Sequence, residues 1–374
     1  MDLVKLTSRL IELPSVNPPS NSLRETAEFI SDWLHEHGVN AEILELDRGY
    51  PIVVSKSMKT YSKSLMLNGH FDVVPPGDLK AWKYSPFSPT LVDGKLFGRG
   101  SSDMKSGLAV FMQLYVDLID RVDYNLIFTA VPDEETGGEH GSKKLADIYK
   151  PDLVLISEPT GKDRIVLGEK GMLTFRLKAK GRSSHGSIPS QGENAIMKLT
   201  RDITNLSRIN MEETSPPMST DQEFESDMKK VTINVGVIRG GIKSNVVPDF
   251  CEAEVDVRVP LSFSIEDVME GVKSVAKESE IELINSSPPN FTHPSTPYVT
   301  FLEKAIVEVT GLSPKKVAVP YSTDGKHFRK NGTSVIVYGP GSIKQAHSVD
   351  EFVEVEEINS IYNVYSSFLK SLRL

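Results

Sequence analysis

The chain has 374 residues, 39% hydrophobic and 25% charged, enough to bury a real core and more than one compact domain of ordinary size usually holds. Its 42 basic residues against 51 acidic ones give a formal charge of −9, which argues against nonspecific adhesion to nucleic acid or anionic membranes. One cysteine, Cys251, excludes an intrachain disulfide and any cysteine-based zinc cluster, and its strand-like surroundings predict a buried, inert thiol.

In chain order, residues 3–13 read as a helix that stops before the loop Pro14-Ser15-Val16-Asn17-Pro18-Pro19. The first six residues lack the basic flank and apolar core of a signal peptide. A second helix is expected over 22–37, with Ala27, Ile30, Trp33 and Leu34 on one face and Gly38 as its stop. Strands follow at 41–46, 52–55 and 65–69, the last apolar enough for the centre of a sheet. A passage rich in glycine and proline, 75–102, leads into a helix over 105–120, a strand over 125–131, a short helix over 142–149 and a strand over 153–157. This alternation is the signature of an α/β layer architecture.

From about 171 the pattern changes to strand 172–179, helix 195–209, strands 231–238 and 250–259, and helix 265–279, which makes a small α+β unit with one helical face. The polar stretch 211–230 inside it reads as a mobile loop. After Pro288-Pro289 the first pattern returns: helix 297–309, a strand near Val317, helix 325–330, strand 334–338 and a terminal helix from about Val355. The expectation is an α/β domain with a mixed sheet, formed by 1–170 and 288–374, with an α+β domain of 171–287 inserted. No apolar run approaches the roughly 20 residues of a membrane span, so a soluble, cytoplasmic chain is expected.

Several predicted strands end directly in residues that can do chemistry, which is where open α/β sheets hold their sites. His70 and Asp72 lie two apart, a spacing that puts both on one face of a strand and lets the carboxylate orient the imidazole. Asp103 precedes a helix within Gly98-Arg99-Gly100-Ser101-Ser102-Asp103-Met104-Lys105-Ser106-Gly107 and reads either as an N-cap or as a carboxylate bridging two ions. Asp133-Glu134-Glu135 are consecutive acids that repel one another unless cations neutralise them, though a solvated acidic turn reads the same. Glu158 ends another apolar strand before a proline, and His347 follows the turn Tyr338-Gly339-Pro340-Gly341. Two histidines and three carboxylates form the mixed nitrogen and oxygen set that zinc favours in catalytic sites.

The order of these motifs resembles the co-catalytic metallopeptidase and aminoacylase family that includes acetylornithine deacetylase, succinyl-diaminopimelate desuccinylase, aminoacylase and glutamate carboxypeptidase. The resemblance spans essentially the whole chain, through Gly69-His70-Phe71-Asp72, Asp103-Met104-Lys105, Asp133-Glu134-Glu135-Thr136-Gly137, Ser157-Glu158-Pro159, Ser184-His185-Gly186 and His347. It implies an aminopeptidase-like α/β/α catalytic domain and an inserted α+β dimerisation, or lid, domain. It further implies two Zn2+ (or Co2+ or Mn2+), one held by His70 and Glu158, the other by Glu135 and His347, with Asp103 between them. Glu134 would be the general base, Asp72 would orient His70, and the peptide bond after Asp103 would be cis.

The same resemblance implies that His185 reaches across a homodimer to the partner's site, and that Arg258 and Asn245 bind the carboxylate of a small-molecule substrate. Thr323 lies in Ser322-Thr323-Asp324-Gly325, similar to a loop that lines the substrate pocket. That loop lacks the paired glycines and the arginine of true succinyl-diaminopimelate desuccinylases. The expected activity is hydrolysis of an amide bond in an N-acyl amino acid, with a metallocarboxypeptidase or dipeptidase acting on short peptides as the alternative.

Overall fold

The computed structural model describes residues 2–17, 21–57, 59, 61–214, 216–219 and 224–373. Pro18 and Pro19 of the first expected loop, and 215 and 220–223 of the polar stretch, lie outside them. The chain divides into two compact units, Met1–Leu167 with Thr292–Lys316 and Thr323–Leu374, and Gly168–Phe291 with Val317–Ser322.

The first unit is built on a mixed sheet, as its α/β pattern requires. Its strands run in the order Glu42–Leu44, Ile52–Lys56, Asn125–Val131, Ser64–His70, Leu153–Ile156, Ser334–Val337 and Arg164–Glu169. The middle strands, from Asn125–Val131 to Ser334–Val337, are mutually parallel, and antiparallel pairs flank them. Being covered on both faces, they are nearly continuous apolar runs: Leu126, Phe128, Ala130 and Val131, like Leu65, Met66 and Leu67, are fully buried.

Helix Ser106–Leu118 is buried around most of its circumference, including Leu108, Val110, Phe111, Met112, Leu114 and Tyr115, so it shows little polar face. Helix Leu3–Ile11 opens on Asp2, whose side chain accepts the N–H groups of Val4 and Lys5. The Nζ of the fully buried Lys105 donates to the carbonyls of Leu10 and Leu13, 2.9 and 2.7 Å away, and so ties the end of that helix to the segment carrying Asp103. A small antiparallel sheet of Thr90–Val92, Lys95–Phe97 and Phe352–Glu354 completes the unit; its strands are too short for periodicity to announce them.

The second unit is a four-stranded antiparallel sheet in the order Thr232–Gly240, Phe250–Val259, Gly171–Lys180, Ser279–Ser287. Leu173, Phe175, Leu177, Val255 and Val257 pack with Leu199, Val268 and Val272 from helices Ala195–Leu206 and Ile265–Val275. The residues between them point to the other face, where Arg176 pairs with Glu254 and Glu282, and Lys178 with Glu282. Cys251 is buried, as expected.

Two expectations are corrected here. The helix expected over 265–279 ends at Val275, and Ser279–Ser287 is an edge strand, because Glu280-Ile281-Glu282-Leu283 alternates with period two. The stretch 211–230, expected as a loop, contains helix Glu225–Lys229, anchored by the buried Met228, and a bridge between Glu212 and Lys230. Among the described residues, no helix is long and apolar enough to cross a membrane.

Candidate metal centre

The carboxyl ends of the parallel strands align in register. His70 is the last residue of its strand and pairs with Val131 across the ladder, while Asn68 pairs with Ile156. The chain therefore leaves three neighbouring strands at one level, carrying His70, then Glu134 and Glu135, then Glu158. Glu134–Thr136 forms a single tight turn that ends on Gly137 at φ 107°, which a residue with a side chain rarely adopts.

Asp103 does not cap a helix. It lies in extended backbone at φ −119°, joined to Met104 by a cis peptide bond, and helix Ser106–Leu118 begins only beyond it. Its two oxygens face two separate partners: Oδ1 is 3.1 Å from His70 Nε2, and Oδ2 is 3.6 Å from His347 Nε2. Glu158 Oε1 lies 3.6 Å from His70 Nε2, and Glu135 Oε2 lies 2.9 Å from His347 Nε2.

Two groups of potential metal ligands result, His70–Asp103–Glu158 and Asp103–Glu135–His347, each with its ligand atoms within 4.8 Å of one another. The first is deep, with His70 1% and Glu158 6% exposed; the second opens to solvent through His347, whose side chain is 53% exposed. Glu158 Oε1 is buried without a hydrogen-bond partner, which is the condition of a ligand atom awaiting a cation. The mixed imidazole and carboxylate donors suit zinc, cobalt or manganese.

The electrostatics agree with the geometry. Burial, and after it the charge of Glu158, pushes Glu134 well above the usual carboxylate range; burial and then Asp103 do the same to Glu135. Glu158 is pushed up to about 7 by burial and by Asp103. Burial alone would pull His70 down, yet Glu158, Asp103 and Asp72 together hold it well above its ordinary value. A pair of cations would relieve this crowding of acids.

Asp72 has a larger task than its spacing announced. Its Oδ1 accepts the backbone N–H of Glu134 at 3.2 Å, its Oδ2 that of Glu135 at 3.1 Å, and the amide of Asn17 also donates to it. His70 Nδ1 is nearer the Asp72 carbonyl, at 2.9 Å, than the Asp72 carboxylate, at 3.4 Å. Asn17 escaped sequence reasoning; its one signal was a buried-type polar residue beside two prolines. Asp133, the first of the three consecutive acids, is in neither ligand group and accepts the His140 N–H at 2.7 Å.

Among the substrate candidates, Thr323 is buried and its Oγ1 accepts the N–H of Gly325 at 3.1 Å. In the second unit His185 is exposed, with Nδ1 2.7 Å from Ser187 Oγ, and the next residue ties it to Asn245: Gly186 N donates to the Asn245 carbonyl at 2.8 Å. Arg258 stands on the sheet face away from the helices, its Nε donating to Asp256 at 2.8 Å.

The sequence signature of the family described as "Peptidase family M20/M25/M40" matches residues 66–371. A succinyl-diaminopimelate desuccinylase of Shewanella loihica is 31% identical over 383 residues, covering 96% of this chain and 97% of its own. An uncharacterised metallohydrolase of Methanocaldococcus jannaschii is 28% identical over 418 residues, covering 99% of each chain. The crystal structure of an M20-family metallo-carboxypeptidase from Sulfolobus solfataricus superposes with a TM-score of 0.84 at 21% identity, over 99% of both chains, a likeness of fold.

Proposed function

This chain belongs to peptidase family M20/M25/M40 and is a hydrolase of amide or peptide bonds, and on that premise we propose that it uses two zinc ions to remove the acyl group from an N-acyl amino acid. The observation that carries the reading is the division of Asp103, whose two oxygens each face a different histidine and carboxylate group. A carboxylate so placed would serve both ligand groups. The desuccinylase name of the Shewanella loihica relative supports an N-acyl substrate over a peptide.

In this reading His70, Asp103 and Glu158, with Glu135 and His347, would hold the cations, which when bound would supply Lewis-acid chemistry toward water and the scissile carbonyl. Glu134 takes the proton from the attacking water and delivers it to the departing nitrogen. Asp72 keeps Glu134 and Glu135 in place through their backbone N–H groups. His185, reaching the partner's site in a homodimer, is the proposed donor to the oxyanion. Arg258 and Asn245 are proposed to hold the substrate carboxylate, with Thr323 lining the pocket.

The test is metal content and turnover of wild type and Glu134→Ala on N-acetylornithine and N-succinyl-diaminopimelate, with dipeptides and N-blocked peptides beside them. The reading expects two metal ions in both proteins, cleavage of an N-acyl amino acid by wild type, and loss of about two to four orders of magnitude in the variant. Preference for the peptides would transfer the chain to the carboxypeptidase or dipeptidase reading. Full activity in Glu134→Ala would remove the proposed base.

A further inference from the structure

Glu351 is fully buried, and both oxygens of its carboxylate are occupied. Oε1 accepts the backbone N–H groups of Ser102 and Asp103 at 2.9 and 3.1 Å; Oε2 accepts that of Gly100 at 3.0 Å and Arg99 Nη1 at 2.7 Å. Its own carbonyl accepts the N–H of Gly98 at 2.9 Å. One side chain thus shapes the whole turn that presents Asp103. Gly100 stands at φ 82° in that turn, where an added Cβ would meet Val73 at 2.7 Å, so the turn is closely confined from the opposite side as well.

The terminal nitrogens of Arg99 also reach the other ligand loop, while its buried Nε has no hydrogen-bond partner. Nη1 donates to the Ser348 carbonyl at 3.1 Å and Nη2 to that of His347 at 3.5 Å, while the group lies 5.0 Å over the ring of Trp82. His347 has φ 62°, a backbone state its side chain disfavours and its surroundings must impose. By contrast His70 ends a sheet strand and Glu158 stands two residues beyond one, and Arg99 donates to neither segment.

Resting on the two-metal reading above, we infer that Arg99 and Glu351 are a positioning pair that fixes the separation of Asp103 from His347, and thereby sets the affinity of the solvent-facing metal group. Neither belongs to the two groups of potential ligands. A buried ion pair is weak grounds for stability, since burial of both charges offsets much of their attraction. Its value lies in joining two ligand loops through one rigid fork, a geometry that lysine cannot reproduce.

The test is calorimetric titration of the chelated full chain with Zn2+ alone, for wild type and Arg99→Lys. Wild type binds two ions. In Arg99→Lys one binding constant weakens about tenfold or more while the other stays within about threefold, so their ratio widens. A Glu135→Gln variant, which alters only the solvent-facing group, identifies that constant as the one affected. Should Arg99→Lys fail to fold, Arg99→Gln, which leaves Glu351 on the turn of Asp103, is held to the same expectation. Equal weakening of both constants, or none, overturns the positioning role and leaves the two-metal reading standing. Wild type binding fewer than two ions overturns both.

Discussion

Gly107 and Ser157 stand so close that a Cβ on Gly107 would lie 2.1 Å from the Ser157 carbonyl oxygen and 2.8 Å from its Cβ. The contact is with backbone, which cannot swing aside as a flexible side chain would, and Ser157 immediately precedes Glu158. Gly107→Ala should therefore push the buried helix Ser106–Leu118 away from the strand end that presents Glu158. The expected cost is about 1–3 kcal/mol in urea unfolding, accompanied by weaker metal binding at the His70–Asp103–Glu158 group. Wild-type stability and metal content in this variant would show that the strand end tolerates displacement.

Asp72→Asn keeps the shape of the side chain but exchanges one acceptor oxygen for an NH2 group. Both carboxylate oxygens currently accept backbone N–H groups, from Glu134 and Glu135. Whichever way the carboxamide turns, one of those N–H groups faces another donor, and the turn carrying the base and a ligand shifts. A fall of about 10–100-fold in kcat is expected, with the fold retained by circular dichroism. If only His70 depended on Asp72, the damage would be limited to the metal held by His70, and metal analysis distinguishes the two.

The crowding of acids also sets how the chelated protein responds to pH. Glu158 is pushed up to about 7 from its ordinary 4.5, so between those values the folded chain holds a proton that the unfolded chain has lost. Stability therefore falls as pH rises through that window. His70, held above its ordinary value, contributes stability at low pH that is lost as pH rises through its folded pKa, which acts in the same direction. The urea midpoint of chelated protein should be lower at about pH 8 than at about pH 5, and zinc should raise it most at the higher pH, where its ligands are already deprotonated. A midpoint that climbs with pH in the chelated protein would mean that the carboxylates are not crowded.

The legible part of this chain was what local pattern dictates. The run of buried residues in Asn125–Val131 and the alternation in Phe250–Val259 fixed those strands at the bounds observed, and the ends of the central strands marked where His70 and Glu158 would stand. Ser279–Ser287 was lost because its period-two alternation sits just beyond a helix whose periodicity appeared to run on. The three short strands around Lys95–Phe97 are too brief for any periodicity. Glu351 and Arg99 were invisible for a different reason: buried charges pair through the fold, across more than two hundred residues of chain, and nothing near either residue in sequence names its partner. Asp103 fell between these cases, since an aspartate before a helix reads equally as a cap.

Arg258 poses the sharpest question about the substrate. Its Nε already pairs with Asp256 on a partly exposed sheet face, so an ordinary surface ion pair is the competing account, worth less than about 1 kcal/mol. If the guanidinium instead receives the substrate carboxylate, Arg258→Ala removes a charge-assisted hydrogen bond worth about 1.5–3 kcal/mol, or roughly 10–100-fold in kcat/KM, chiefly through KM. The decisive comparison is a substrate whose carboxylate is replaced by a carboxamide. Wild type should discriminate against it strongly and Arg258→Ala should not, because the group that reads the charge is gone. Equal discrimination by both proteins would assign carboxylate recognition to another residue and leave Arg258 to its pairing with Asp256.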